Sequence, residues 1–114
     1  PQEYIWRLIN KESRFNPNAK SPVGASGYMQ IMPATYKGLI SRYTKKYGSL
    51  DRYSDKQKNL ILGIYYLRIL HDKYNDWTLT LAAYNAGPGT VDDAGKRVPN
   101  INETKNYVKY IKSK

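Results

Sequence analysis

The longest regular pattern in the chain lies between Ser54 and Tyr74. Ser54 and Gln57 form a capping box, and Leu60, Ile61, Ile64, Leu67 and Tyr74 follow at helical spacing. The pattern predicts a helix over Asp55–Tyr74 and commits the chain to a core built around it. Valine and isoleucine never alternate with polar residues long enough to make a substantial sheet. The expected fold class is therefore mostly α, with at most a minimal β element. A chain of 114 residues holds one core and is too short for two ordinary domains, so a single domain over 1–114 is expected.

Local signals place the other elements. A first helix runs from Gln2 to Ser13 and ends before Asn16-Pro17-Asn18, because the residue before proline avoids helical geometry. Residues 16–27 are rich in turn formers and read as an irregular loop, and 28–32 as a short extended or irregular segment. Pro33 suits the first position of a helix reaching about Lys46. Asp76 or Asn75 caps a helix over Trp77 to Tyr84, stopped by the turn Asn85-Ala86-Gly87-Pro88-Gly89. Asn102 caps a last helix over Glu103 to Lys112, with Tyr107, Val108 and Ile111 facing inward. A loop as long as 16–27 in so small a unit points to function.

Nineteen Lys and Arg against nine Asp and Glu give a net charge of +10, which favours polyanionic partners such as nucleic acid, anionic lipid or an anionic cell wall. The basic residues are scattered, with no arginine-rich stripe, and read as a general solvated surface. No apolar run approaches the roughly 20 residues that span a bilayer. The chain contains no cysteine, which excludes disulfides and thiolate metal sites. No other residues stand at metal-ligand spacing and no phosphate-cradling or cofactor motif is present, so neither metal nor cofactor is expected. The lone histidine, His71, keeps register with Leu60, Ile64 and Leu67 and reads as a core-boundary residue. Twelve tyrosines stand beside two tryptophans and one phenylalanine; they suit either a helical core or stacking on sugars and bases. The chain begins at Pro1 without a signal-peptide pattern, as expected of an excised or processed domain.

One residue breaks the greasy stripe of the first helix. Ile5, Leu8 and Ile9 share a face, and Glu12 occupies its next position. Such a carboxyl either reaches solvent or an ion pair at the edge of the stripe, or is partly buried and holds its proton.

Four blocks then appear in order. They are Glu12-Ser13-Arg14-Phe15; Ser21 to Ala25 running into Gly27 to Thr35; Ala83 to Gly89; and Glu103 to Val108. Together they resemble the soluble lytic transglycosylases, peptidoglycan-cleaving enzymes of the lysozyme-like superfamily that includes goose-type lysozyme. The resemblance implies a small lysozyme-like domain with an open substrate groove, acting on the MurNAc–GlcNAc bonds of glycan strands. It makes Glu12 the catalytic residue, first general acid and then base, in a reaction that closes a 1,6-anhydro ring. It makes Ser21, Met29, Gln30, Tyr84, Asn85, Glu103 and Tyr107 substrate-binding or supporting residues. Met29 would pack on a sugar, Gln30 hold an N-acetyl or hydroxyl group, and Glu103 and Tyr107 supply support and sugar contact. The family usually has leucine where this chain has Tyr28, which keeps the bulk and adds a hydroxyl.

Other functions stay open at this point. A hydrolytic muramidase would attack the same bond with water, and a basic, tyrosine-rich module would bind glycan or nucleic acid without turnover. The resemblance favours peptidoglycan strands as partner, with anionic wall polymers second and no nucleic acid. It also implies an extracytoplasmic location and a monomer.

Overall fold

The structure is a computed structural model and describes residues 1–113. Among the described residues six helices follow one another: α1 Gln2–Ser13, α2 Pro33–Tyr47, α3 Asp55–Tyr74, α4 Trp77–Ala86, α5 Pro88–Asp93 and α6 Asn102–Lys112. The β content among the described residues is two isolated bridges, Lys20 with Ser26 and Ser26 with Ile31. Contacts gather into two units, Pro1–Tyr65 and Tyr66–Lys114, so the division falls within α3.

In the first unit, α1 forms over the expected residues. Its stripe is buried at Leu8 and Ile9, and it ends at Arg14, whose left-handed φ of 52° carries its N–H to Asn10 O. Phe15 is also left-handed, at φ 61°, so two bulky residues in succession occupy a region that favours glycine. Pro33 stands at the start of α2. The capping box at α3 is formed on both sides: Ser54 N donates to Gln57 Oε1 at 2.9 Å, and Gln57 N to Ser54 Oγ at 3.3 Å. Tyr43, Tyr47 and Tyr65 cluster with ring centroids 4.9–6.0 Å apart.

In the second unit, α4 packs against α5 and α6. Thr80, Leu81, Ala82 and Ala83 are buried in succession, so α4 is enclosed on most of its circumference. The buried Thr80 hydroxyl donates back to Asp76 O at 2.8 Å and needs no other partner. Asp76 caps the helix by accepting from Leu79 N. His71 lies 4.6 Å from the Trp77 ring, centroid to centroid, at the core boundary expected for it.

Three boundaries differ from the sequence reading. Helix α4 continues two residues beyond Tyr84, and Gly87, at φ 93°, is at once its C-cap and the residue preceding α5. The Gly-Pro-Gly segment is thus a helix start: Pro88 takes the first helical position, where its missing N–H costs nothing. Asn102 is the first residue of α6, whose cap position is the extended Ile101, with no side-chain cap.

Between α3 and α5 the Tyr74 hydroxyl donates to Asp92 Oδ1 at 2.9 Å, and Lys73 Nζ pairs with Asp92 Oδ2 at 2.7 Å. Burial, and then the bond to Asp92, push the Tyr74 phenol up from 10.0 to about 12. The bonds from Lys73 and Tyr74 hold the Asp92 carboxyl below its ordinary value. A raised tyrosine stabilises the fold fully below its unfolded value and loses that contribution as pH rises through the folded one. Tyr74→Phe is therefore expected to lower Tm near neutrality, and the gap to wild type should narrow between pH 10 and about 12. Thermal melts across that range would show it; a constant gap would refute the linkage.

Candidate active site

Glu12 lies in the last turn of α1, next to the buried Ser13, whose hydroxyl donates to Ile9 O at 3.1 Å. The carboxyl side chain is half-buried. Of the nine acidic residues only Glu12 and Asp92 are not exposed, and Asp92 is engaged by Lys73 and Tyr74. Asp76 is committed to the α4 cap, and Asp51, Asp55, Asp72 and Asp93 are exposed.

The loop after α1 in the same unit is built by its own hydrogen bonds. Ser21 N donates to Ala25 O at 2.8 Å, and Ser21 Oγ accepts from Ala25 N at 3.0 Å, which closes the Ser21–Ala25 turn. Ser26 and Ile31 exchange two backbone bonds and close the next turn, which presents Met29 and Gln30. Gln30 is left-handed at φ 49°, and its Nε2 donates to Ala19 O at 3.0 Å and Gly27 O at 2.9 Å. Both amide hydrogens thus bind the two turns together, leaving Oε1 as the atom that can receive a donor from a ligand.

Met29 is fully buried, with no surface to offer a sugar, which corrects its expected sugar contact. Its thioether chain fills the space over Gly63, where a Cβ would come within 2.4 Å of Met29 Cγ. Asn59, on the same face of α3 as Gly63, is the residue the sequence reading missed. Its Oδ1 accepts from Met29 N at 2.8 Å and its Nδ2 donates to Ser26 O at 2.9 Å. Gly27 lies so close that a Cβ there would be 2.3 Å from Asn59 Nδ2. One buried amide thereby ties Ser26 to Met29 within the turn that carries Gln30.

In the second unit, Tyr84 is half-buried on α4 with its ring 5.4 Å from that of Tyr66. Burial pushes the Tyr66 phenol up. Asn85 is held by the first turn of α6: its Nδ2 donates to Glu103 Oε2 at 3.2 Å, and its Oδ1 accepts from Thr104 Oγ1 at 2.8 Å. Asn85 and Glu103 are therefore brought together, with the buried Thr104 as a third member. Tyr107, one turn further along α6, is 2 % exposed. It supports the helix from the core, and the expectation that it contacts sugar is corrected in the same way as for Met29.

A mostly α chain whose first helix ends in a half-buried glutamate, followed by a hydrogen-bonded double turn, has the architecture of a lysozyme-like domain. Its fold matches the crystal structure of the 70 kDa soluble lytic transglycosylase from Escherichia coli with a TM-score of 0.81, at 35% identity over 97% of this chain and 20% of that one. It matches equally an inactive glutamate-to-glutamine mutant of the lytic transglycosylase Slt from Pseudomonas aeruginosa, with a TM-score of 0.79 and 31% identity over 97% of this chain and 20% of that one. Among curated relatives, the soluble lytic murein transglycosylase of Escherichia coli K12 is 38% identical, covering 97% of this chain and 19% of its own length. The membrane-bound lytic murein transglycosylase D of the same organism is 33% identical, over 95% of this chain and 26% of its own. The chain spans about a fifth to a quarter of the length of these relatives. Residues 1–107 match the family described as the transglycosylase SLT domain. The chain belongs to that family.

Proposed function

We propose that this chain is a catalytic domain that cleaves the β-1,4 bond between MurNAc and GlcNAc in peptidoglycan, as a lytic transglycosylase. The observation that carries the reading is the half-buried Glu12 at the end of α1, in a chain that matches the SLT family over residues 1–107 and whose one other half-buried acidic side chain among the described residues, Asp92, is engaged by Lys73 and Tyr74. Glycosidases of the ordinary kind need two carboxylates, one for the proton and one as nucleophile or base. A single carboxyl suffices if the substrate supplies the nucleophile.

Glu12 would give its proton to the bridging oxygen as the bond to C1 breaks, so the departing GlcNAc leaves as an alcohol. The N-acetyl carbonyl of MurNAc would stabilise positive charge at C1. The C6 hydroxyl would then return its proton to the Glu12 carboxylate while O6 bonds to C1 and closes the 1,6-anhydro ring. No water is consumed and Glu12 ends protonated. Tyr84, Asn85 and Glu103 are proposed to serve the same reaction, with Gln30 and Ser21 shaping the substrate loop.

The 114 residues are proposed to work as one catalytic domain, as a monomer and without metal or cofactor. No described helix is long and apolar enough to cross a membrane. Since the glycan lies beyond the cytoplasmic membrane, the site of action is proposed to be extracytoplasmic. Digestion of purified peptidoglycan followed by mass analysis of the muropeptides tests the chemistry. Anhydro ends are expected; reducing ends would assign a hydrolytic muramidase, and an uncleaved sacculus that still binds the protein would assign a glycan-binding module.

A further inference from the structure

A pocket lies in the first unit, and its lining contains none of Glu12, Ser21, Met29 and Gln30. It has a volume of about 390 Å³ and is bounded by the loop from Pro17 to Lys20, Ser26 and Gly27, Tyr36 of α2 and the start of α3. That volume suits a small molecule. Gly27 and Asn59 make up its buried lining, and both are fixed by the hydrogen bonds that seat the Met29 turn. The pocket is thus a rigid feature of the turn that carries Gln30.

Three charged side chains line it: Lys20, Lys56 and Asp55. None of them takes part in an ion pair among the described residues, where the salt bridge is Lys73 with Asp92. Tyr36 completes the set. Burial, and then the Asp55 carboxylate, push its phenol up, so it keeps its proton and offers a donor. Two ammonium groups, one carboxylate and one phenol donor are complementary to a small ligand that carries both signs of charge. A simple anion would leave Asp55 opposed, and a simple cation would face two lysines.

We propose that this pocket binds the zwitterionic head of an amino acid, with its carboxylate towards Lys20 and Lys56 and its ammonium towards Asp55. Two sources share that chemistry: a free amino acid, and the uncross-linked end of a diamino acid within a wall peptide. The second source rests on the peptidoglycan reading above, whereas the site itself does not.

Nitrogen–proton correlation spectra of the folded protein, titrated with meso-diaminopimelate, test it directly. Saturable shifts are expected at the amides of Gly27, Lys56 and Asn59. The diacetylated compound, which lacks ammonium groups, should bind at least about tenfold more weakly, and cadaverine, which lacks carboxylates, should do the same. Lys20→Glu with Lys56→Glu should abolish the shifts, and Asp55→Asn should erase the preference for the free over the acetylated compound. D-alanine binding as tightly as diaminopimelate would point to a free amino acid; weaker binding would point to the wall peptide. No saturable shift at these amides, or equal binding of the acetylated compound, overturns the proposal. Because binding is read without any cleavage assay, a protein that fails to cut peptidoglycan leaves the test intact.

Discussion

Glu12→Gln is expected to lower cleavage of purified peptidoglycan by about 10³-fold or more, the upper part of the range for a positioned proton donor, because one group would act as both acid and base. The substitution keeps the size and shape of the side chain and replaces the titratable carboxyl by an amide that neither gives up nor takes a proton. Glu12 is half-buried in a helix turn whose neighbours Leu8, Ile9 and Ser13 are buried, so an isosteric amide should leave that packing undisturbed. Circular dichroism and Tm should therefore match the parent. Wild-type clearing of cell walls by the glutamine variant would remove Glu12 from the mechanism, whatever the family relationship.

The second large effect is expected at a neutral side chain. Asn59→Ala deletes the acceptor for Met29 N–H and the donor for Ser26 O, both in a buried setting, and opens a void beside Gly27. Unpaired buried groups and the void together should cost about 2–4 kcal/mol. For a chain of this size that corresponds to a fall in Tm of roughly 10 °C or more. Activity should fall further than stability at a temperature where the variant is still folded, because the turn presenting Gln30 has lost its anchor. A variant that melts with the parent would show that Ser26–Ile31 pairing alone holds the turn.

The elements that could be read from sequence are those whose determinants are local. The Ser54/Gln57 box, Pro33 at the head of α2 and the Ile5–Leu8–Ile9 stripe each act within a turn or two of helix, and each produced the expected element. Helix α5 was not legible because Gly87-Pro88-Gly89 carries the signals of a turn and of a helix start at once. In the candidate site, Asn85 and Glu103 were each singled out but their pairing was not, and neither Asn59 nor Thr104 was named. Their partners lie 30 and 33 residues away for Asn59 and 19 for Thr104, beyond any local pattern. A signal did exist: Asn59 shares the buried stripe of Leu62, Leu67 and Leu70, and Thr104 that of Tyr107, Val108 and Ile111. The reasoning that singled out Glu12 as a polar residue on an apolar face applies to both. Burial of Met29 and Tyr107 was illegible for the opposite reason, since a large apolar side chain suits a core and a sugar face equally.

The consecutive left-handed residues Arg14 and Phe15 bear on how this protein can be improved. Each carries an intrinsic backbone penalty of about 1–2 kcal/mol that glycine would not. A stability-minded engineer would place glycine there and gain a sturdier chain. The same exchange would add slack immediately downstream of Glu12, where, on the proposed mechanism, a displacement of an ångström is enough to spoil proton transfer. The penalty is one that selection for turnover has reason to retain and selection for heat resistance has reason to erase.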